Sequence, residues 1–138
     1  MTSDSAALTL RLLQTARRIQ SKISEQLEPL DTTLQQLKVL QLVQEQPGST
    51  MTVNEIRERM LDPMSNVSRL LNKMMEKDLI RKARDLDDQR VVRVRLTEAG
   101  LDLYRRGGAV LKNGLTQLDG LDEQQRDSLA GLLDAIGE

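Results

Sequence analysis

Ser65 to Thr97 reads SNVSRLLNKMMEKDLIRKARDLDDQRVVRVRLT, and this stretch decides the reading of the chain. Its first third is a short amphipathic helix with Val67, Leu70, Leu71, Met74 and Met75 as the apolar stripe. Ser65, Asn66, Ser68, Arg69, Asn72 and Lys73 lie largely off that stripe. Two runs of alternating character follow, LIRKAR at 79–84 and VVRVRL at 91–96, which predicts a pair of strands. Between them sits a tight charged loop, Asp85 to Arg90. A helix with short polar side chains, followed by a hairpin with a basic tip, has a shape that suits DNA. The helix fits the major groove, and the hairpin reaches the backbone or the minor groove beside it.

Working upstream, Val53–Met60 reads as a helix burying Val53, Ile56 and Met60, with Thr52 and Glu55 at capping-box spacing and Met51–Val53 starting as a short strand. Leu61 to Met64 is the turn into the next helix, where Asp62 offers a cap and Pro63 a first position. Two short helices joined in this way form a helix-turn-helix. Before them, a helix from about 34 to 46 carries Leu34, Leu37, Val39, Leu40 and Val43, with Thr33 and Gln36 at capping-box spacing and Pro47-Gly48 as the stop. The earliest helix, 6–27, has Leu8, Leu12, Ala16, Ile19, Ile23 and Leu27 in line and ends at Glu28-Pro29.

Downstream, Thr97 caps a helix lined by Leu101, Tyr104, Leu111, Leu115 and Leu118, with Gly107-Gly108 as a weak or bent point. Asp122 caps a last helix whose stripe is Leu129, Leu132, Leu133 and Ile136. The fold class is mainly α with a small β-hairpin wing, a single domain over 1–138. About 31–97 forms the winged helix-turn-helix, and 6–30 with 98–138 forms a helical dimerisation part. The flanking stripes are too extended to cover one another, so a homodimer is expected.

Composition sets limits. The formal net charge is −1, but residues 57–95 carry a net +4 and the remainder a net −5. A basic surface on an acidic body can track phosphates, although an Arg-rich solvated hairpin explains the same count. With no Cys and no His, disulfides, thiol switches and the commonest metal sites are excluded, and so is the commonest general base. No nucleophile–base pair or phosphate loop is present, so the chain reads as no enzyme, and no cofactor or metal is implied. No run is apolar enough for a membrane span and no signal pattern opens the chain, which makes a cytoplasmic protein the expectation.

At these residues the chain resembles the MarR family of bacterial winged-helix regulators, over about residues 8 to 136. Thr33-x-x-Gln36-x-x-Val39-Leu40 is similar to the family's second helix, and Ser65 to Leu70 to the opening of its recognition helix. Arg84-Asp85-Leu86-Asp87-Asp88-Gln89-Arg90, then Val92-x-Val94-x-Leu96-Thr97-x-x-Gly100, is similar to its wing. Leu86 replaces the usual Pro, Gln89 a basic residue, and Asp78 the usual Gly, at a position that needs φ > 0. The resemblance implies a homodimeric repressor on double-stranded DNA with a pseudo-palindromic operator, released by a small lipophilic effector. The alternative is a winged-helix protein-interaction module without specific DNA reading.

Ser65, Asn66, Ser68 and Arg69 are then the base-edge and phosphate candidates, with Ser65 as a simple cap and Asn66 as solvated surface the competing roles. Asn72 and Lys73 are phosphate contacts or plain surface. Arg90 stands where the family places a minor-groove arginine, with Asp88 placed to orient it or to clasp the turn. Arg84, Arg93 and Arg95 are expected to point outward as solvated charges unless DNA is near. Ala16, Met60 and Tyr104 are the ligand candidates, against packed roles for the Met and the Tyr.

Overall fold

A computed structural model of the chain describes residues 4–60, 66–114 and 118–137. It is mainly helical with a small three-stranded antiparallel sheet, a winged helix-turn-helix carried between long flanking helices. Helix α1 (Ser5–Leu27) starts where the Asp4 carboxylate accepts the Ala7 N–H at 2.8 Å. Its far end alone enters the core, through Ile23 and Leu27, while Leu8, Leu10, Leu12 and Leu13 are exposed. Pro29 opens a short 3-10 turn, and Asp31 leaves it with a left-handed φ of 52°.

Helix α2 (Leu34–Glu45) is the central strut and buries Leu37, Val39, Leu40, Leu42 and Val43. The capping box expected at its start is only half made. Thr33 Oγ1 accepts the Gln36 N–H at 3.2 Å, but the Gln36 side chain accepts from Thr32 Oγ1 at 2.9 Å. Gln36 is buried, so its carbonyl takes the partner available inside. Gly48 closes the next turn at φ 82°, and β1 (Met51–Thr52) leads into α3 (Val53–Arg59). There the box is complete, with Glu55 N to Thr52 Oγ1 at 3.1 Å and Thr52 N to Glu55 Oε1 at 3.4 Å.

The turn expected at Leu61–Met64, the Asp62 cap with Pro63, and Ser65 lie outside the described residues. Helix α4 (Val67–Glu76) begins later than the sequence pattern indicated, because Asn66 is its cap and accepts the Arg69 N–H at 3.0 Å. Val67, Leu71 and Met74 face the core. Asp78 adopts φ 57°, the left-handed value expected of it, and turns the chain into β2 (Ile80–Arg84). Strand β3 (Val92–Leu96) pairs with β2 on one side and β1 on the other. Met51 opposes Val94 across that second pairing and both are fully buried, which anchors the wing in the aliphatic core.

Helix α5 (Glu98–Gly114) starts beneath the sheet. Thr97 Oγ1 accepts the Gly100 N–H at 3.0 Å and donates to Asp78 O at 2.6 Å. Helix α5 runs unbroken through the Gly107-Gly108 pair, without the bend expected there. A Cβ on Gly107 would stand 2.4 Å from Leu37 Cδ2, so the missing side chain is what lets α5 approach α2. Leu103 is the buried apolar side chain among the described residues of α5, Leu118 lies beyond its end, and Leu115 falls outside the described residues. Helix α6 (Glu123–Ile136) has the expected Asp122 cap, boxed with Gln125. Leu132, Leu133 and Ile136 are exposed along it. Among the described residues no helix is long and apolar enough to cross a membrane.

Candidate nucleic-acid interface

Helix α4 buries one side and presents the other. Ser68, Arg69, Asn72 and Lys73 are all exposed, and their three- and four-residue spacing places them on one face. Asn66 sits at the start of that face but has its side-chain oxygen committed to the cap. A bidentate grip on adenine uses both the oxygen and the nitrogen of an Asn amide, so the cap competes with that role. Asn66 caps α4, while Ser65, also weighed as a cap, lies outside the described residues.

The loop between β2 and β3 is built from charge-assisted hydrogen bonds. Asp85 Oδ2 accepts the backbone N–H groups of Asp87 and Asp88 at 3.2 and 3.1 Å, and its Oδ1 accepts Arg93 Nε at 2.9 Å. Arg93 also reaches Thr50 Oγ1 at 3.3 Å, which ties the loop back to the residue before β1. Arg84 donates to the Gln89 carbonyl at 2.7 Å. Arg84 and Arg93 are therefore struts of the wing and not merely solvated charges, because their guanidinium forks find fixed oxygens across the turn. Arg95 stays exposed on β3, and Arg81 lies 4.0 Å from Asp78.

Arg90 differs from both. Asp88 holds it through three contacts, with Oδ1 accepting the backbone N–H at 3.0 Å and Nε–H at 3.1 Å, and Oδ2 accepting Nη2–H at 3.3 Å. Its side chain is nevertheless 91% exposed. The result is an oriented guanidinium standing in solvent at the tip of a braced loop. Leu86, in the same loop, is also fully exposed.

The carboxylates register this bracing. The Arg93 hydrogen bond holds the Asp85 carboxyl below its usual range, helped by the two backbone N–H groups and opposed by partial burial. Asp88 is lowered chiefly by the Arg90 side chain and then by the Arg90 backbone N–H. A folded-state value below the unfolded one means stabilisation that is present above the unfolded value and lost as pH falls through the folded one. The wing should thus loosen only in acid below the ordinary carboxylate range. In Arg93→Ala, the Asp85 carboxyl should titrate back toward its ordinary value, read by carbon NMR of the side-chain carboxyl. An unmoved titration would mean that the Asp85–Arg93 contact does not form in solution.

A second feature is a cleft of about 520 Å³ between α2 and α5, lined by Leu34, Leu37, Lys38, Gln41, Glu45, Tyr104, Arg105, Gly108 and Leu111. Tyr104 OH donates to Glu45 Oε2 at 3.1 Å, and burial, then the Glu45 contact, pushes the phenol above its usual range. Of the three ligand candidates, the structure brings only Tyr104 here. Met60 is buried in the main core, and Ala16 lies exposed on α1, away from the cleft lining. Lys38, Glu45 and Arg105 were missed by sequence reasoning. The signal for them was Gly107 near Tyr104, since a glycine inside a helix can mark a close neighbour, here Leu37 of α2.

Comparison with known proteins bears on this geometry. Residues 30–91 match the sequence profile of the MarR family. The HTH-type transcriptional regulator YfiV of Bacillus subtilis (strain 168) is 31% identical over 99 residues, which take in 69% of this chain and 61% of YfiV. The match thus spans less than two thirds of that relative's length. Among solved structures, a mutant MarR from E. coli complexed with operator DNA superposes with a TM-score of 0.81 at 23% identity, covering 97% of this chain and 99% of that one. The organohalide-sensing RdhR transcriptional regulator in its 2,4-dichlorophenol-bound form gives a TM-score of 0.84 at 20% identity, covering 99% and 80%. At these identities the structural matches establish a shared fold.

Proposed function

The chain belongs to the MarR family, and from that premise we propose that it is a sequence-specific, homodimeric transcriptional repressor. The observation that carries the reading is the wing: a loop braced by Asp85, Arg84 and Arg93 holds an exposed Arg90 pre-oriented on Asp88. Pre-orientation lowers the entropy lost when the guanidinium enters a minor groove. On α4, Arg69, Ser68 and Asn72 read base edges, and Lys73 meets phosphate, while Asn66 positions the helix start. Ser65 is proposed as a phosphate contact beside the cap. Arg84 acts through the loop it braces.

Dimerisation is supported by the flanking helices, about 6–30 and 98–138, where Leu10, Leu13, Leu132 and Ile136 are each more than 60% exposed. Burying such side chains stabilises association by roughly 1.5–3 kcal/mol each before the entropy of association is counted. Two copies place two α4 helices on a pseudo-palindrome. The α2–α5 cleft is the proposed effector site. Its aliphatic walls suit a lipophilic body, and Lys38 and Arg105 suit an acidic head. An effector that binds better to a dimer with the wrong helix spacing would release the DNA.

The test is selection from a random duplex pool at about 150 mM salt, where exposed charges are screened beyond ~8 Å. The expected winner is a pseudo-palindrome with half-site centres one helical turn, ~34–36 Å, apart. A pool that stays random would instead assign the chain to winged-helix protein-interaction modules.

A further inference from the structure

The far end of α4 is held by a contact to another part of the chain. Lys77 caps α4 with its backbone N–H on Lys73 O. A lysine at such a position ordinarily folds back over the last carbonyls of its own helix. Here the ammonium crosses to another part of the chain. It donates to the backbone carbonyl of Asp31 and to Gln36 Oε1, the latter at 3.4 Å, and the Asp31 carboxylate stands 3.6 Å away. Three acceptors thus surround a group that has three N–H donors.

The receiving end is the junction between α1 and α2. Gln36 and Thr32 are the two buried polar side chains among the described residues, at 3% and 8% exposure. Thr32 and Lys77 together satisfy the Gln36 carbonyl oxygen, which has two lone pairs. Breaking one side leaves a buried acceptor short of a partner, so the network resists partial opening. Asp31 presents its carbonyl from a left-handed turn, φ 52°, and the Lys77 stem is itself mostly covered, with 28% of the side chain exposed. The junction in turn joins α1, whose outer face is apolar and open, to α2, which lines the cleft.

We infer that Lys77 is a positioning residue for the DNA-binding helix: it ties the end of α4 to the α1–α2 junction, so that a displacement of either carries the other. The inference deepens the DNA-binding reading above and rests on it for its consequence in DNA recognition. Within the link, the Asp31 carboxylate is the lesser partner. It is 94% exposed, and an ion pair with so open a partner is screened by solvent. The Asp31 carbonyl and the Gln36 amide carry the tie. Lys77→Met therefore breaks it while keeping the aliphatic stem, whereas Asp31→Asn keeps the carbonyl and tolerates the left-handed backbone.

Hydrogen exchange on the full chain tests this without DNA. In Lys77→Met, the amides of Asp31, Gln36 and Leu37 should exchange about tenfold faster, together with those of Lys77, Asp78 and Leu79. Arg126 in α6 should be unchanged, and Asp31→Asn should stay within about twofold of the parent at every one of these amides. On a duplex selected by the parent protein, Lys77→Met should lower the preference over a scrambled duplex about tenfold. Asp31→Asn should keep that preference. Faster exchange confined to the α4 end, or an unchanged preference, would overturn the inference. Should no duplex be selected at all, the DNA reading fails and exchange at residues 31–37 alone decides the link.

Discussion

Gly100→Ala should cost this protein about 3 kcal/mol or more, and lower the melting midpoint by on the order of 10 °C. The third residue of α5 packs directly on the backbone where β2 begins. A Cβ built on Gly100 would stand 2.0 Å from Leu79 O and 3.0 Å from the Leu79 carbonyl carbon. Neither atom can swing aside as a side-chain tip could. Leu79 O is also the acceptor of the Thr97 N–H at 3.1 Å, and Leu79 N donates to Met74 O at 2.9 Å. Moving Leu79 to admit a methyl group therefore disturbs the end of α4 and the start of α5 together. Two controls separate this clash from a general dislike of alanine. Gly107→Ala meets only the Leu37 side chain, at 2.4 Å, and should cost less, roughly 1–2 kcal/mol. Gly108→Ala meets nothing within 4 Å and should stabilise the helix by roughly 0.5–1 kcal/mol. Thermal unfolding of the three variants checks the order; equal midpoints would mean that α5 does not cross Leu79 as closely as described.

Removing Arg90 should leave the fold intact and weaken binding to every DNA sequence. Its side chain is 91% exposed, and its partner Asp88 is itself substantially open, so Arg90→Ala disturbs no core. Binding to selected and scrambled duplexes alike should fall about tenfold, and the slope of log affinity against log salt should shrink by about one contact. Arg69→Ala acts differently. It removes a side chain from the face of α4 and should lower affinity for the selected duplex by about 10- to 100-fold, with base preference blurred at one position in each half-site. Fluorescence titrations of both variants across a salt series distinguish the two signatures. Parent-like affinity in both variants would remove the wing tip and α4 from the DNA-binding surface.

Much of this architecture can be read locally. The caps at Thr52 and Asp122 each reach three residues along the chain, and the left-handed turn at Asp78 is a property of one residue between a helix and a strand. Period-two alternation over 79–84 and 91–96 places the hairpin, and the apolar rows place the helices to within a few residues. Those signals need no knowledge of what lies across the core. The start of α4 was less legible, since Asp62, Ser65 and Asn66 are all good capping types and the spacing alone does not single out Asn66.

Thus residue order alone determined a winged helix-turn-helix between amphipathic flanks, with a charged wing tip, because hydrophobic period, caps and turn residues act over a few positions. Tertiary structure decided the rest. It paired Gln36 with Thr32 and the distant Lys77 in place of the Thr33 backbone N–H, made Arg84 and Arg93 into struts while Arg90, held by Asp88, projects into solvent, sent Met60 into the core, and made Gly107 a contact point for Leu37. Each of these depends on a buried polar group or a close backbone approach finding its partner, and for Gln36 and Lys77 that partner lies 41 positions away in the chain. Sequence spacing carries no record of such a distance until the helices pack.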